Sequence, residues 1–357
     1  MQLKQNHIVV DISANGYGHL AQLAPILQTL YQLRSNIAVT VRTDLDRSIC
    51  AEFINIPFEM GPRPPDPDMR MRGPLHVDEN GLFADYSKIF SDRDAVIAHE
   101  AQVLRALSAD LMITNISMAS VASAKAAGIP AAAVSSLNWA DVFEAYCGDR
   151  DGADDILDWM IQGYSQADLF LLLTPHLPTS WLPNPTSIGP IARIGNDRRK
   201  ALEDLKPARY YVMASMGGIP GIHSEISLPP IDGVVWITPP NWRIDQVNSI
   251  SRDELDISFI DLMKSADAIV TKAGYGSVTE AAANGTRILY TDRLNWCETP
   301  ILEAWMTAHC TARKLPREAL HSAELAHSLE TLLAGPNPVP VEMTGASEAA
   351  TAIATLL

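Results

Sequence analysis

Two stretches of this chain begin alike, and no other feature narrows the choice of fold as far. Residues 8–12, Ile-Val-Val-Asp-Ile, lead straight into Ser13-Ala14-Asn15-Gly16-Tyr17-Gly18-His19, after which Leu20, Leu23, Ala24, Leu27, Leu30 and Tyr31 recur at helical spacing. Residues 210–214, Tyr-Tyr-Val-Met-Ala, lead likewise into Ser215-Met216-Gly217-Gly218. A short strand that ends in a glycine turn and enters a helix is the start of a β-α-β unit, which builds parallel sheets covered by helices. Further apolar runs of strand length follow in each half: 37–41, 110–114, 131–135 and 168–173, then 234–237, 268–271 and 287–290. Between Pro183-Asn184-Pro185 and Lys206-Pro207, proline and a charged run interrupt the pattern. The expected fold is therefore α/β, with two Rossmann-like, doubly wound parallel-sheet domains facing across a cleft. The proline-rich stretch 61–74 is expected to be irregular, as a functional or a solvated loop, and 347–357 reads as a short alanine-rich helix.

Composition excludes several classes of function. The 357 residues are 47% hydrophobic, enough for real cores. A net charge of −15 argues against nucleic acid as a partner, because phosphate-backbone binding needs a clustered positive surface. Cys50, Cys147, Cys297 and Cys310 are far apart and never in C-x-x-C spacing, which excludes a zinc ribbon or a thioredoxin-type site and suits a reducing compartment. No stretch approaches the roughly 18 apolar residues of a membrane span, and the first residues lack the apolar core of a signal peptide. A soluble, cytoplasmic protein is expected, with peripheral membrane contact left open.

In open α/β sheets, ligands bind beyond the carboxyl ends of the strands, so three turns are candidates. In Asn15-Gly16-Tyr17-Gly18-His19, Gly16 and Gly18 allow a tight turn, and His19 opens the following helix, either as a base or as a cap or phosphate ligand. The helix N-terminus disfavours its cationic form. The glycine spacing is not G-x-G-x-x-G, so dinucleotide binding is not indicated. In Thr271-Lys272-Ala273-Gly274-Tyr275-Gly276-Ser277-Val278-Thr279-Glu280, a strand meets a helix whose free amides favour a phosphate. Glu280 there is either a ribose ligand or half of a capping box with Ser277. The amides of Ser215-Met216-Gly217-Gly218 could steady a diphosphate. The histidines never fall in metal-binding spacing, and neither a P-loop nor a G-x-S-x-G elbow occurs, so no metal is expected.

These turns, in this order and with a break between them, resemble a GT-B glycosyltransferase. The chain is most similar to the predicted glycosyltransferase group that includes the N-terminal half of plant L-arabinokinase, and less closely to MurG and the UDP-glycosyltransferases. Four stretches carry the resemblance: NGYGHLAQ at 15–22, residues 128–139 ending in Ser136-Leu137-Asn138-Trp139, residues 265–281 against "ADxxxxKxGYGTxxEA", and DRLNWCETPILE at 292–303. A sugar-kinase activity is not expected.

The resemblance implies an acceptor domain over 1–190, a nucleotide-sugar donor domain over 191–345, and a helix over 346–357 returning to the first. It implies His19 as catalytic base or acceptor-site residue, with Gly16 and Gly18 on the acceptor side. Gly217, Gly218, Gly276 and Ser277 would bind the donor diphosphate. Phe259 and Ile260 would lie on the nucleobase, Glu280 on the ribose, and Asn295 and Glu298 on the donor sugar. The donor would be a UDP- or dTDP-type sugar, with no cofactor and no metal, and the acceptor an unidentified small molecule, lipid or glycan. Relatives often carry a carboxylate near position 115, where this chain has Asn115, which brings no charge to the histidine. Asp11 and Asp141 are the candidates to replace it. Arg63, Arg70 and Arg72 in the proline-rich stretch suggest an anionic acceptor. A nucleotide-sugar 2-epimerase of the same fold and a catalytically silent nucleotide-sugar-binding protein remain alternatives.

Overall fold

The computed structural model describes residues 5–67, 69–72, 76–217, 228–240, 242, 248–291, 293 and 295–357. The chain divides into two units. The first comprises the residues up to Arg72, Val77–Ile191 and Thr344–Leu357, and the second Ala192–Met343.

In the first unit, β1 (Asn6–Ile12), β2 (Ile37–Arg42), β3 (Glu59–Met60), β4 (Leu111–Asn115), β5 (Ala131–Ser135), β6 (Leu169–Leu173) and β7 (Thr186–Ile188) form one sheet, ordered β3-β2-β1-β4-β5-β6-β7. Every pairing is parallel, with Val10 opposite Val41 on one side and Ile113 on the other. Parallel strands are covered on both faces, which is why the central ones are unbroken apolar runs: Ile8, Val9, Val10, Leu111, Met112 and Ile113 are all fully buried.

In the second unit, β8 (Tyr210–Ser215), β9 (Val234–Thr238), β10 (Ser249–Ser251), β11 (Ala268–Lys272), β12 (Arg287–Thr291) and β13 (Ala312–Lys314) form a parallel sheet ordered β10-β9-β8-β11-β12-β13. Its core gathers Val212, Ala214, Trp236, Val270 and Leu289 against Leu325 and Leu329 of the helix Ala323–Ala334. The runs read as strands in the sequence all become strands. The edge strands β3, β7, β10 and β13 were not anticipated, because two or three half-exposed residues carry no hydrophobic period.

The strand order decides where a ligand can sit. β1 lies between β2 and β4, and β8 lies between β9 and β11, so in each sheet the chain winds outward in both directions from one central pair. Crossovers diverging from such a pair leave a crevice beyond its carboxyl ends. In the first unit this crevice lies past Ile12 and Asn115, and in the second past Ser215 and Lys272.

Helix ends follow local chemistry. Ser117 accepts the Ser120 amide at 3.0 Å to start the helix Met118–Ala127, which Gly128 ends at φ +75°. The helix Gly345–Ile353 packs on the helix Gly18–Leu33 of its own unit, anchored where the Gly345 amide donates to the Pro190 carbonyl at 3.1 Å. A Cβ on Gly345 would run into the Gly189 carbonyl, so the two backbones approach closely only because both positions are glycine. No helix of the described residues is long and apolar enough to cross a membrane.

Candidate functional site

The crevice of the first unit is built around His19. Gly16 turns the chain at φ +84°, and Gly18 and His19 are the first two residues of the helix Gly18–Leu33. A Cβ on Gly18 would meet no protein atom within 4 Å. His19 is 7% exposed, and its ring packs on Trp139 with centroids 5.5 Å apart. Asn115, the last residue of β4, donates from Nδ2 to Gln22 Oε1 at 2.7 Å, and Gln22 Nε2 donates to Ser136 Oγ at 3.0 Å. That chain orients the amide, so Asn115 Oδ1 faces His19 Nδ1 at 2.6 Å and can only accept its proton. The imidazole is thereby held with Nε2 bare and able to take a proton. Burial pushes its pKa below 6.5, against the bond from Asn115.

Neither candidate carboxylate stands in for the missing charge. Asp11 receives Arg42 through both oxygens, at 2.7 and 2.9 Å, and also bonds Ser120 Oγ. Arg42 reaches Glu100 at 2.9 Å as well. Burial works against the Arg42 charge, but Asp11 and Glu100 more than offset it and hold the guanidinium above its ordinary pKa. Asp141 accepts from Trp181 Nε1 at 2.6 Å, Asn138 Nδ2 at 2.7 Å and Thr179 at 3.0 Å.

Part of the proline-rich stretch lines a cavity of about 950 Å³ together with the helices Glu79–Ser91 and Arg93–Ala106. A small crevice shares Asp66 and Pro67 with this cavity and is also lined by Ser13 and Trp139, the residue that packs on His19. Asp66 accepts the amides of Met118 at 2.6 Å and Ala119 at 3.1 Å, pinning the loop to a helix N-terminus. The three arginines that suggested an anionic acceptor each have a carboxylate partner: Arg63 pairs with Asp44 at 3.0 Å, Arg70 with Asp85 at 2.6 Å and Arg72 with Asp78 at 2.7 Å.

In the second unit, Gly217 follows β8 at φ +84°, while Gly218 lies outside the described residues. Across from it, Gly276 and Ser277 occupy the first turn of the helix Tyr275–Asn284. The N-cap is Gly274, and Ser277 lies inside the helix, so the capping-box alternative is not realised. Glu280 is 4% exposed and accepts from Arg193 Nε at 2.6 Å. Burial raises its carboxyl above the ordinary value, with Arg193 pulling the other way.

Phe259 and Ile260 are the first residues of the helix Phe259–Ser265, which Ser258 caps by accepting the Asp261 amide at 3.2 Å. The Phe259 ring carries the Arg252 guanidinium at 5.5 Å. Asn295 adopts φ +54°. Glu298 stands at the start of the helix Thr299–His309 and accepts from Trp296 Nε1 at 2.9 Å, and the Arg293 guanidinium lies 3.5 Å over the Trp296 ring.

Sequence reasoning gave Lys272 no role. It ends β11, is 8% exposed, and its side chain lies against Gly217: a Cβ there would meet Lys272 Cε at 3.0 Å and Nζ at 3.3 Å. Burial first, and then Arg293, lowers its pKa to about 7. The signal lay in its position, a cation as the last residue of a buried strand. Among the described residues, no three His, Cys, Asp or Glu side chains are grouped to hold a metal.

No protein-family model and no curated protein matches the chain. Solved structures do match over nearly the whole length. A forosaminyltransferase of spinosyn, SpnP, superposes with a TM-score of 0.61 at 11% identity, covering 99% of this chain and 95% of that one. UGT2 of Phytolacca americana, complexed with UDP-2fluoro-glucose and pterostilbene, gives 0.58 at 15% identity, covering 100% and 94%. The glycosyltransferase VinC in complex with dTDP gives 0.56 at 17% identity, covering 98% and 94%. The chain has the fold of these GT-B glycosyltransferases.

Proposed function

We propose that the protein is a glycosyltransferase that moves a sugar from a UDP- or dTDP-type donor to a small-molecule acceptor without a metal. The observation that carries this reading is His19 at the β1–β4 crevice, with Nδ1 donating to Asn115 and Nε2 left as an acceptor. The fold supports the reaction class, as does the resemblance of residues 265–281 to the predicted glycosyltransferase group.

His19 Nε2 takes the proton of an acceptor hydroxyl as its oxygen attacks the anomeric carbon. The bond from that carbon to the diphosphate oxygen breaks, and its electron pair leaves with the nucleotide. Amides at Gly217, Gly218, Gly276 and Ser277 stabilise the charge that develops there. Phe259 and Ile260 meet the nucleobase, Glu280 the ribose, and Asn295 and Glu298 the donor sugar. The cavity of about 950 Å³ receives the acceptor, in the size range of small-molecule sites.

Melting shifts and nucleotide release with a panel of UDP-, dTDP- and GDP-sugars test the reading. Stabilisation by a UDP- or dTDP-sugar, with turnover unaffected by EDTA, is expected. Stabilisation without turnover for any acceptor tried would point instead to a nucleotide-sugar-binding protein, and no stabilisation at all would exclude both. His19→Ala should cut turnover by about 10²–10⁴-fold while nucleotide binding persists.

A further inference from the structure

We propose that Gln22 is the positioning residue that decides which nitrogen of His19 is bare, and with it whether the ring can act as a base. This rests on the glycosyl-transfer reading and gives a role to a side chain which that reading leaves idle.

His19 and Gln22 lie one turn apart on the helix Gly18–Leu33 and therefore share a face. Asn115 reaches that face from the end of β4 and touches both. Its Oδ1 stands 2.6 Å from His19 Nδ1, and its Nδ2 donates to Gln22 Oε1 at 2.7 Å. Gln22 carries the chain on to Ser136 Oγ, just past β5, at 3.0 Å. All four side chains are buried. The Trp139 ring, tilted at 54° to the imidazole, packs on the same histidine.

Each member of this chain can both give and take a hydrogen bond, so the chain has two possible directions. In the direction of the structure, His19 donates to Asn115, Asn115 to Gln22, and Gln22 to Ser136. With both amides turned by half a rotation, Ser136 would donate to Gln22, Gln22 to Asn115, and Asn115 Nδ2 to His19 Nδ1. The proton of the neutral ring would then sit on Nε2, and the base would be lost. That second tautomer is the one a neutral histidine side chain prefers in water, so the first has to be imposed. Asn115 cannot impose it alone, because its amide offers the ring an acceptor on one side and a donor on the other. Gln22 breaks the tie by presenting Oε1 to Asn115 Nδ2. Without that acceptor, the present orientation leaves a buried N–H unpaired, whereas the turned amide leaves only a carbonyl oxygen unpaired, the more tolerable loss.

Nitrogen-15 correlation spectra of the full chain at pH 8 read the tautomer directly, with the His19 signal assigned by its loss in His19→Ala. Wild type should carry the proton on Nδ1. Gln22→Met should move it largely to Nε2 and cut nucleotide release from the donor at least about tenfold, within the range a general base supplies. Gln22→Glu should keep the Nδ1 proton and rescue most of that turnover, because an ionised carboxylate only accepts and holds Asn115 in its present orientation. A merely structural role predicts the opposite order, since a buried carboxylate is harder to accommodate than methionine. Gln22→Met with the Nδ1 proton in place overturns the proposal and leaves the transfer reading standing. Wild type with its proton on Nε2 overturns both. If the expected tautomers appear but no UDP- or dTDP-sugar binds, the transfer reading fails alone. Should Gln22→Met lose its cooperative melting transition, Ser136→Ala decides: it releases the Gln22 amide to turn and should likewise move the proton to Nε2, and an unmoved proton there overturns the proposal.

Discussion

An asparagine that accepts the Nδ1 proton of a buried histidine holds the tautomer as a carboxylate would, yet adds no charge to steady the imidazolium. At His19, burial outweighs the bond to Asn115, so the ring stays neutral to lower pH than a free histidine. The acid limb of a kcat/KM profile should therefore fall below pH 6.5. Asn115→Asp should move that limb upward by about one unit, because the new carboxylate favours the charged ring; an unmoved limb would detach Asn115 from the base. Stability follows the same sign. The unfolded chain binds the His19 proton near pH 6.5 and the folded chain only below it, so stability falls as pH drops through that window. His19 was legible in the sequence by its position, directly after a glycine turn at the start of a helix, with its role open between base, cap and phosphate ligand. Its partner's orientation was not, since it depends on Gln22 and Ser136, which come together only in the fold.

Secondary elements were readable wherever burial imposed a period. β1, β4, β8 and β11 are apolar on both faces and announce themselves, whereas β3 and β13 are held in place by their neighbours' ladders and carry no pattern of their own. The capping-box alternative at the start of the helix Tyr275–Asn284 is not realised for a related reason: Ser277 and Glu280 have the right spacing, but the strand before them delivers the chain into the helix at Gly274. Docking of the helix Gly345–Ile353 depends on an absence of side chains, which no periodicity reports. Gly345→Ala would force the Gly189 carbonyl aside, and we expect it to cost about 1–3 kcal/mol in urea unfolding and to expose this helix to limited proteolysis. Gly128→Ala is the control. Its Cβ would meet nothing, so only the φ of +75° is strained, at about 1–2 kcal/mol and with no change in cleavage.

At the scale of the whole molecule, a charge of −15 opposes every approaching nucleotide, and the favourable groups act only at short range. Screening should therefore help the encounter. Between low and physiological ionic strength, the association rate of UDP measured by stopped flow should rise rather than fall, since the Debye length shrinks to about 8 Å at 0.15 M. A steep fall would reveal a basic surface that steers the ligand from afar. The sequence was informative at this scale about charge and about the division in two, whereas the return of residues 344–357 to the first unit was an expectation that only the resemblance carried. That return has a consequence for how the chain is made. A ribosome delivers the strands of the first sheet early, yet the helix that covers Gly18–Leu33 emerges only after the whole of Ala192–Met343. The unit begun first is thus completed last, and until then the nascent protein carries an uncovered helix face that a chaperone, or a neighbouring nascent chain, can find before its own final segment arrives.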